Sequence, residues 1–206
     1  DLGHARRSDV TTAALDALRT FLARAGRGEP VPYYAILVAD GDRMGAVIDN
    51  QRSPDAHRSL SEALDTFARG ARAIVQDHDG CLIYAGGDDV LAFLPLHHAI
   101  ECARALSESF TDRLKAWRTS DGDTATLSAG IGIAHCLDPM GAALDVARNA
   151  ERVAKGHPDK NALAMALDKR SGGLTVVCGH WDSLVSRLLD LAVLHEADAI
   201  PDKAAH

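Results

Sequence analysis

The stretch CLIYAGGDDVLAFLPL, residues 81–96, decides how the rest of the chain is read. Its two apolar runs, CLIYA and VLAFLPL, are rich in aliphatic and aromatic residues and bounded by turn signals. Each therefore reads as a short buried strand. The residues between them, Gly86, Gly87, Asp88 and Asp89, fit a tight hairpin loop. The glycines allow positive φ and leave room for something to approach the backbone. A solvent-exposed turn would account for the aspartates as well, since Asp is an ordinary turn residue. The flanking sequence has to separate these two readings.

Upstream, YYAILVAD (33–40) is a continuous apolar run ending in a carboxylate, the pattern of a central strand. Between it and the hairpin, Ser53 reads as an N-cap and Pro54 as the first residue of a long helix. Leu60, Leu64, Phe67, Ala71, Ile74 and Val75 keep helical spacing, and Asp79-Gly80 turns the chain into the hairpin. Downstream, a second long helix is expected over about 97–117, carrying Ile100, Ala103, Leu106, Phe110, Leu114 and Trp117. An exposed loop, TSDGDTA, follows. TLSAGIGIA (126–134) reads as a strand whose glycines permit close backbone approach. Asp138-Pro139 opens a third helix that runs to Lys155 and stops at Gly156 and Pro158. NALAMAL and LTVVC read as two more strands joined by the turn DKRSGG.

The ends are helical. Residues 9–25 form an amphipathic pattern with Asp9 as N-cap, Leu15, Leu18 and Leu22 on one face, and Gly26 as the stop. GRGEPVP (26–32) is a linker, and the tail from about Asp182 is helical and apolar on one side. The expected division is an N-terminal helix and linker (1–32), a central domain (33–180) and a C-terminal helix (181–206). The central order of strand, helix, strand, strand, helix, strand is the ferredoxin-like βαββαβ arrangement, here followed by an added helix and hairpin. The fold class is α+β. In this topology the first strand neighbours the central hairpin, so Asp40 should approach the GGDD turn.

Bulk properties narrow the chemistry. With 206 residues, 47% of them hydrophobic, the chain suits one compact domain or one domain with an appendage. A net charge of −7 argues against a broad basic surface for free nucleic acid, although nucleotides remain possible partners where a metal supplies positive charge. No apolar run is long enough to span a membrane, and DLGHARRSDV is not a signal peptide. Cys81, Cys102, Cys136 and Cys178 form no C-x-x-C pair and read as small core residues in a reducing compartment. These features predict a soluble intracellular protein.

Asp40 and Asp42 flank Gly41 at the end of the first strand, and Asp88 and Asp89 occupy the neighbouring turn. Two unit charges about 4 Å apart repel by roughly 4 kcal/mol at an effective dielectric near 20. Several such pairs are a large share of a domain's stability, roughly 5–15 kcal/mol. Bound divalent cations would offset the repulsion, and hard carboxylate oxygens suit Mg2+ or Mn2+.

The segments ADGDRMG, YAGGDDVLAFLPL, LSAGIGIAH and AERVAKGHPDKNALAMAL together resemble the catalytic Palm domain of the large subunit of type III CRISPR effector complexes, most strongly that of the type III-B (Cmr) complexes. The likeness covers about residues 33–180. The family is a distant relative of GGDEF diguanylate cyclases and polymerase palms, and its members with an intact GGDD convert ATP into cyclic oligoadenylates when the complex binds target RNA. The resemblance implies that Asp40, Asp88 and Asp89 are metal-binding and catalytic, with Asp42 assisting at the metal. It places the nucleotide at Gly41, Gly86, Gly87 and Ser128, and the triphosphate at Lys155 and Lys160. It also implies two Mg2+ or Mn2+ ions, ATP as substrate, a second Palm facing this one, and partner subunits carrying guide RNA and target RNA in a prokaryotic cytoplasm.

Two dipeptides are decoys. His78-Asp79 matches the pair that names the family's nuclease domain, but it sits at a helix end and reads as a turn. His97-His98 opens a helix, where adjacent residues point to different faces. The chain has room for one Palm, begins without Met, and ends in what resembles the start of a following helical domain, so it reads as a piece of something longer. Two rivals stay open. A diguanylate cyclase would carry Phe where Val90 stands, and an Arg in the approach QDHDG. A non-catalytic scaffold Palm would leave GGDD idle.

Overall fold

The computed structural model describes residues 11–20, 23, 31–169 and 173–200. The expected cap Asp9, Leu22, Gly26, most of the linker and the centre of the turn DKRSGG lie outside the described residues. The chain divides into two units, residues 1–32 and 33–206. In the first, residues 11–20 form helix α1, on which Leu15 and Leu18 are exposed.

The second unit is built on a six-stranded sheet. In chain order it runs β1 (Tyr33–Asp42), α2 (Met44–Asp49), α3 (Pro54–Asp77), β2 (Cys81–Gly86), β3 (Asp89–Pro95), α4 (Ala99–Leu114), β4 (Thr126–His135), α5 (Met140–Lys155), β5 (Ala162–Asp168), β6 (Leu174–His180) and α6 (Trp181–Glu196). The sheet order is β2-β3-β1-β4-β5-β6. Its first four strands give the ferredoxin-like arrangement, and the parallel β4–β5 pair, crossed by α5, adds the extra helix and hairpin. The α+β palm-like class read from the sequence is the one observed.

Helices cover both faces. On one, Ala35, Leu37 and Ala39 of β1 pack with Leu60, Phe67, Ala71 and Val75 of α3 and Leu106, Phe110 and Leu114 of α4. Phe67 and Phe110 meet edge to face at 5.0 Å. Ser53 caps α3 as expected, its Oγ accepting from Ala56 N–H at 3.2 Å with Pro54 in the first turn. On the other face α5 buries only alanines, Ala143, Ala147, Ala150 and Ala154. They lie against Gly130 and Gly132 of β4, where a Cβ would stand 2.0 Å from Glu151 N and 2.6 Å from Ala147 N. Glycine facing alanine lets the helix axis approach the sheet closely.

Several expectations are corrected. The helix expected over 97–117 is a 3₁₀ turn at Leu96–His98 followed by α4. His97 is exposed and His98 half-buried, with their rings 4.1 Å apart, so the two imidazoles are neighbours rather than divergent. A short helix, α2, follows β1 without a side-chain cap. Only Cys102 is a core cysteine, and burial pushes its thiol up to about 12. Cys81, Cys136 and Cys178 are exposed and free, because β2 and β6 are edge strands and Cys136 lies just past β4. Among the described residues no helix is long and apolar enough to cross a membrane.

Candidate active site

β1 is the middle of the sheet's chemistry. It pairs with β3 through Ala39↔Val90 and with β4 through Asp42↔Thr126, so its C-terminal end lies beside the β2–β3 hairpin. That hairpin closes at the pair Gly86↔Asp89, leaving Gly87 and Asp88 as the two loop residues. Gly87 has φ +64°, the glycine that a two-residue hairpin of this kind places at its first central position. Asp89 is already in strand β3, one residue further in than the loop read from the sequence. A Cβ on Gly41 would stand 2.8 Å from both Cβ and Oδ2 of Asp88 and 2.7 Å from Met44 Cγ. The missing side chain of Gly41 is what seats Asp88 against the end of β1.

Two lysines arrive from α5 and the loop after it. Lys155 Nζ donates to Asp40 Oδ2, in a close ion pair, and to Gly41 O at 2.8 Å. Lys160 Nζ donates to Lys155 O at 3.0 Å, folding back over the end of α5. Lys160 and Asn161 are both left-handed, at φ 54° and 47°. Consecutive non-glycine residues in that region are costly, and here they turn Asn161 N–H toward Asp42 Oδ2 at 3.0 Å.

The charges couple. Burial pushes the Asp88 carboxyl above the usual carboxylate range, the nearby Asp40 and Asp89 push it further, and its own backbone N–H and Lys155 pull it back. Asp89 is likewise raised, by burial and by Asp40, against Lys155. Oxygen donors of this kind fit Mg2+ or Mn2+. Among the described residues, however, no three His, Cys, Asp or Glu side chains stand as a ready-made coordination cluster, and Asp40 is held by Lys155.

Residues 33–164 match the family described as Cas10/Cmr2, second palm domain. The chain belongs to this family. The CRISPR system Cmr subunit Cmr2 of Pyrococcus furiosus is 37% identical over 182 residues, covering 75% of this chain and 21% of the relative. This palm therefore spans about a fifth of that protein's length. Crystal structures of the Csm1–Csm4 cassette superpose with the fold: the complex with pppApA at TM-score 0.55 and 22% identity, over 64% of this chain and 20% of that one. The complex with cA4 gives TM-score 0.56 and 21% identity, over 66% and 21%.

Within the palm, Asp40, Asp88, Asp89, Gly41, Gly86, Gly87, Lys155 and Lys160 gather at this one end of the sheet, while two further candidates take a different place. Asp42 is expected from the sequence to assist at the metal. It is instead fully buried, its Oδ2 accepting from Thr126 Oγ1 and Ser128 Oγ, both at 2.8 Å, as well as from Asn161 N–H. Its Oδ1 is buried with no hydrogen-bond partner among the described residues. Ser128, expected near the nucleotide, is also fully buried and accepts from Ala162 N–H at 3.3 Å. The pair braces β1, β4 and the start of β5 from within.

One residue escaped the sequence reading. Glu151 on α5 is half-buried, and its carboxyl is raised by burial and by Asp40 and Asp89, against Lys155 and Arg152. It is a fourth carboxylate of the cluster. Its i, i+4 spacing to Lys155 on one helix face was the available signal. The His78-Asp79 decoy does end α3 in a turn, with Asp79 left-handed at φ 55°. Two sizeable recesses lie elsewhere: about 420 Å³ between α4 and α6, and about 560 Å³ beside the β2 edge. Neither contains the carboxylates, whose coupling and packing identify the site better than cavity size does.

Proposed function

We propose that this palm is the catalytic half of a metal-dependent nucleotidyltransferase that joins ATP into cyclic oligoadenylates within a type III CRISPR effector complex. One observation carries the reading: the fold brings Asp40, Asp88, Asp89 and Lys155 to a single end of the β1–β3 pair. The ligands named for the Csm1–Csm4 cassettes, pppApA and cA4, are what such an enzyme makes.

In this reading Asp40, Asp88 and Asp89 hold Mg2+ or Mn2+. The bound ions supply a lowered pKa for the attacking ribose 3′-hydroxyl and charge compensation for the departing pyrophosphate. The chain's own groups do the positioning. Lys155, one of whose three donors remains after Asp40 and Gly41, reaches the triphosphate, with Lys160 adding charge from the same side. Gly87, with nothing within 4 Å of where its Cβ would stand, keeps the turn clear for the nucleotide's approach, and Gly86 is the adjacent residue of the same turn. Glu151 adds negative charge that favours cation binding. The 3′-oxygen forms a bond to the α-phosphorus of the next nucleotide as the bond to pyrophosphate breaks. A second Palm faces the open cluster, and subunits carrying guide and target RNA switch it on in the prokaryotic cytoplasm.

The test is thermal unfolding with ATP, then GTP, each with Mg2+ or Mn2+, on the wild type and on Asp88→Asn/Asp89→Asn. Oligoadenylate synthesis is then assayed in the assembled complex with target RNA. A metal-dependent shift with ATP that the double variant loses is expected. A shift with GTP alone would return the guanylate reading, and ATP binding that survives the double variant would remove the nucleotide from this site.

A further inference from the structure

We propose that Tyr84, together with Leu91 and Val38, forms the platform on which the base of the bound nucleotide lies. The inference rests on the nucleotide reading above and adds to it the part of the molecule that holds the base. It follows from strand register. Tyr84 pairs with Leu91, Leu91 with Val38, and Val38 with Gly130, so these residues form one row across β2, β3, β1 and β4. Cross-strand partners share a face of the sheet. Leu91 and Val38 pack with Ile36, Ala143 and Ala147, which fixes that face as the one α5 partly covers. The next row toward the hairpin carries Gly86 opposite Asp89, and Asp40 opposite Ser128. An apolar row therefore lies directly beside the carboxylate row, on the same open side of the sheet.

Tyr84 links the two rows. A Cβ on Gly86 would stand 2.2 Å from Tyr84 Oη and 2.6 Å from its Cζ. The phenol ring thus occupies the space that a side chain at 86 would fill, running along β2 toward the turn. Tyr84 is nevertheless 55% exposed. The two adjacent glycines then have different duties: Gly87 supplies the positive φ of the turn, and Gly86 supplies a bed for the ring. An exposed aromatic face, held in place beside a phosphate-handling cluster, is what a base stacks on. Such stacking is tolerant of base identity because every base has a π-face. The platform therefore accounts for holding a base and predicts no preference for adenine over guanine.

The experiment measures ATP, GTP and inorganic tripolyphosphate affinities with Mg2+, on the protein as expressed from its own gene. Tyr84→Leu is expected to weaken ATP and GTP alike by about tenfold, the usual scale for loss of one base–aromatic stack. Tripolyphosphate binding should not change. Tyr84→Phe and Tyr84→Trp should bind ATP as the wild type does, since the ring and not the hydroxyl is used. Gly86→Ala, which displaces the ring, should copy Tyr84→Leu and add nothing to it in the double variant. Undiminished ATP affinity in Tyr84→Leu overturns the platform while the nucleotide reading stands. Equal loss of ATP and tripolyphosphate also overturns it, because the substitution would then have disturbed the turn. A wild type that binds tripolyphosphate but gains nothing from the base overturns it as well, and one that binds no ATP removes the nucleotide reading with it.

Discussion

Gly130→Ala tests the contact that positions half of the candidate site. The added Cβ would lie 2.0 Å from Glu151 N and 2.6 Å from both Ala150 C and Glu151 Cα. All three are backbone atoms of α5, so no side chain can rotate away. Reaching an ordinary contact means moving the helix by more than an ångström, and α5 carries both Glu151 and Lys155. Burying one methyl returns about 0.8 kcal/mol. Overpacking a tight core costs roughly 1–3 kcal/mol and occasionally more. Because the clash is with backbone that cannot yield, the upper end of that range applies, and the net loss is about 2 kcal/mol, or roughly 4–8 °C in Tm for a chain of this size. Gly141→Ala, in the first turn of the same helix with nothing within 4 Å of the added carbon, is the control. Helix propensity predicts that it stabilises by about 0.5 kcal/mol. Differential scanning calorimetry on the two variants reads the difference directly. If Gly130→Ala melts with the wild type, α5 does not rest on β4 as closely as described, and the placement of Lys155 beside Asp40 loses its support.

Two other perturbations have defined outcomes. Asp42→Ala strands the Thr126 and Ser128 hydroxyls and Asn161 N–H in the interior, at a cost of roughly 3–5 kcal/mol. Urea unfolding should show that loss with or without nucleotide, and a loss appearing only in the presence of metal would make Asp42 a ligand after all. The second concerns pH. Asp88, Asp89 and Glu151 have folded pKa values above their unfolded ones, near 4. Their contribution to stability is full below that pH and is lost as pH rises through the raised folded values. Without metal, Asp88→Asn/Asp89→Asn should therefore melt above the wild type at neutral pH, with the gap closing toward about pH 4. A double variant less stable than wild type at pH 7 would contradict the clustering.

The hairpin and its neighbour were legible because their signals are local and agree. Two apolar runs around GGDD specify β2 and β3, and the ferredoxin order then places β3 beside β1. The burial of Asp42 is something the sequence hides. Asp40 and Asp42 share a face of β1, and only the turn at Lys160 and Asn161, both left-handed, closes the second one over. Asn161 is at home in that conformation, but Lys160 is not a turn residue and masks the signal. The cysteines were assigned to the core by residue type, which holds for Cys102 on the buried face of α4 and fails at sheet edges. Helix α2 has six residues, too few for periodicity to register. Glu151 could have been found, because its helical spacing to Lys155 was in plain view.

Whether GGDD is an exposed turn or a working site can be argued without any relative. Five described non-glycine residues are left-handed, and three of them, Arg43, Lys160 and Asn161, adjoin this cluster. The other two, Asp79 and Asp198, lie just beyond the ends of α3 and α6, where Asp in that conformation is ordinary. Asn tolerates the same conformation, so the strain falls on Arg43 and Lys160, at about 1–3 kcal/mol each. At the same end of β1 lie three carboxyls raised by burial and by the Asp40 charge, and a buried aspartate with one oxygen lacking a partner among the described residues. An idle turn would leave Asp88 in water with an unperturbed carboxyl and would need neither the clearance at Gly41 nor the folded-back lysine. Costs gathered at one end of a strand, in a domain whose remaining core is well packed, are the pattern of a site kept for what it binds rather than for what it stabilises.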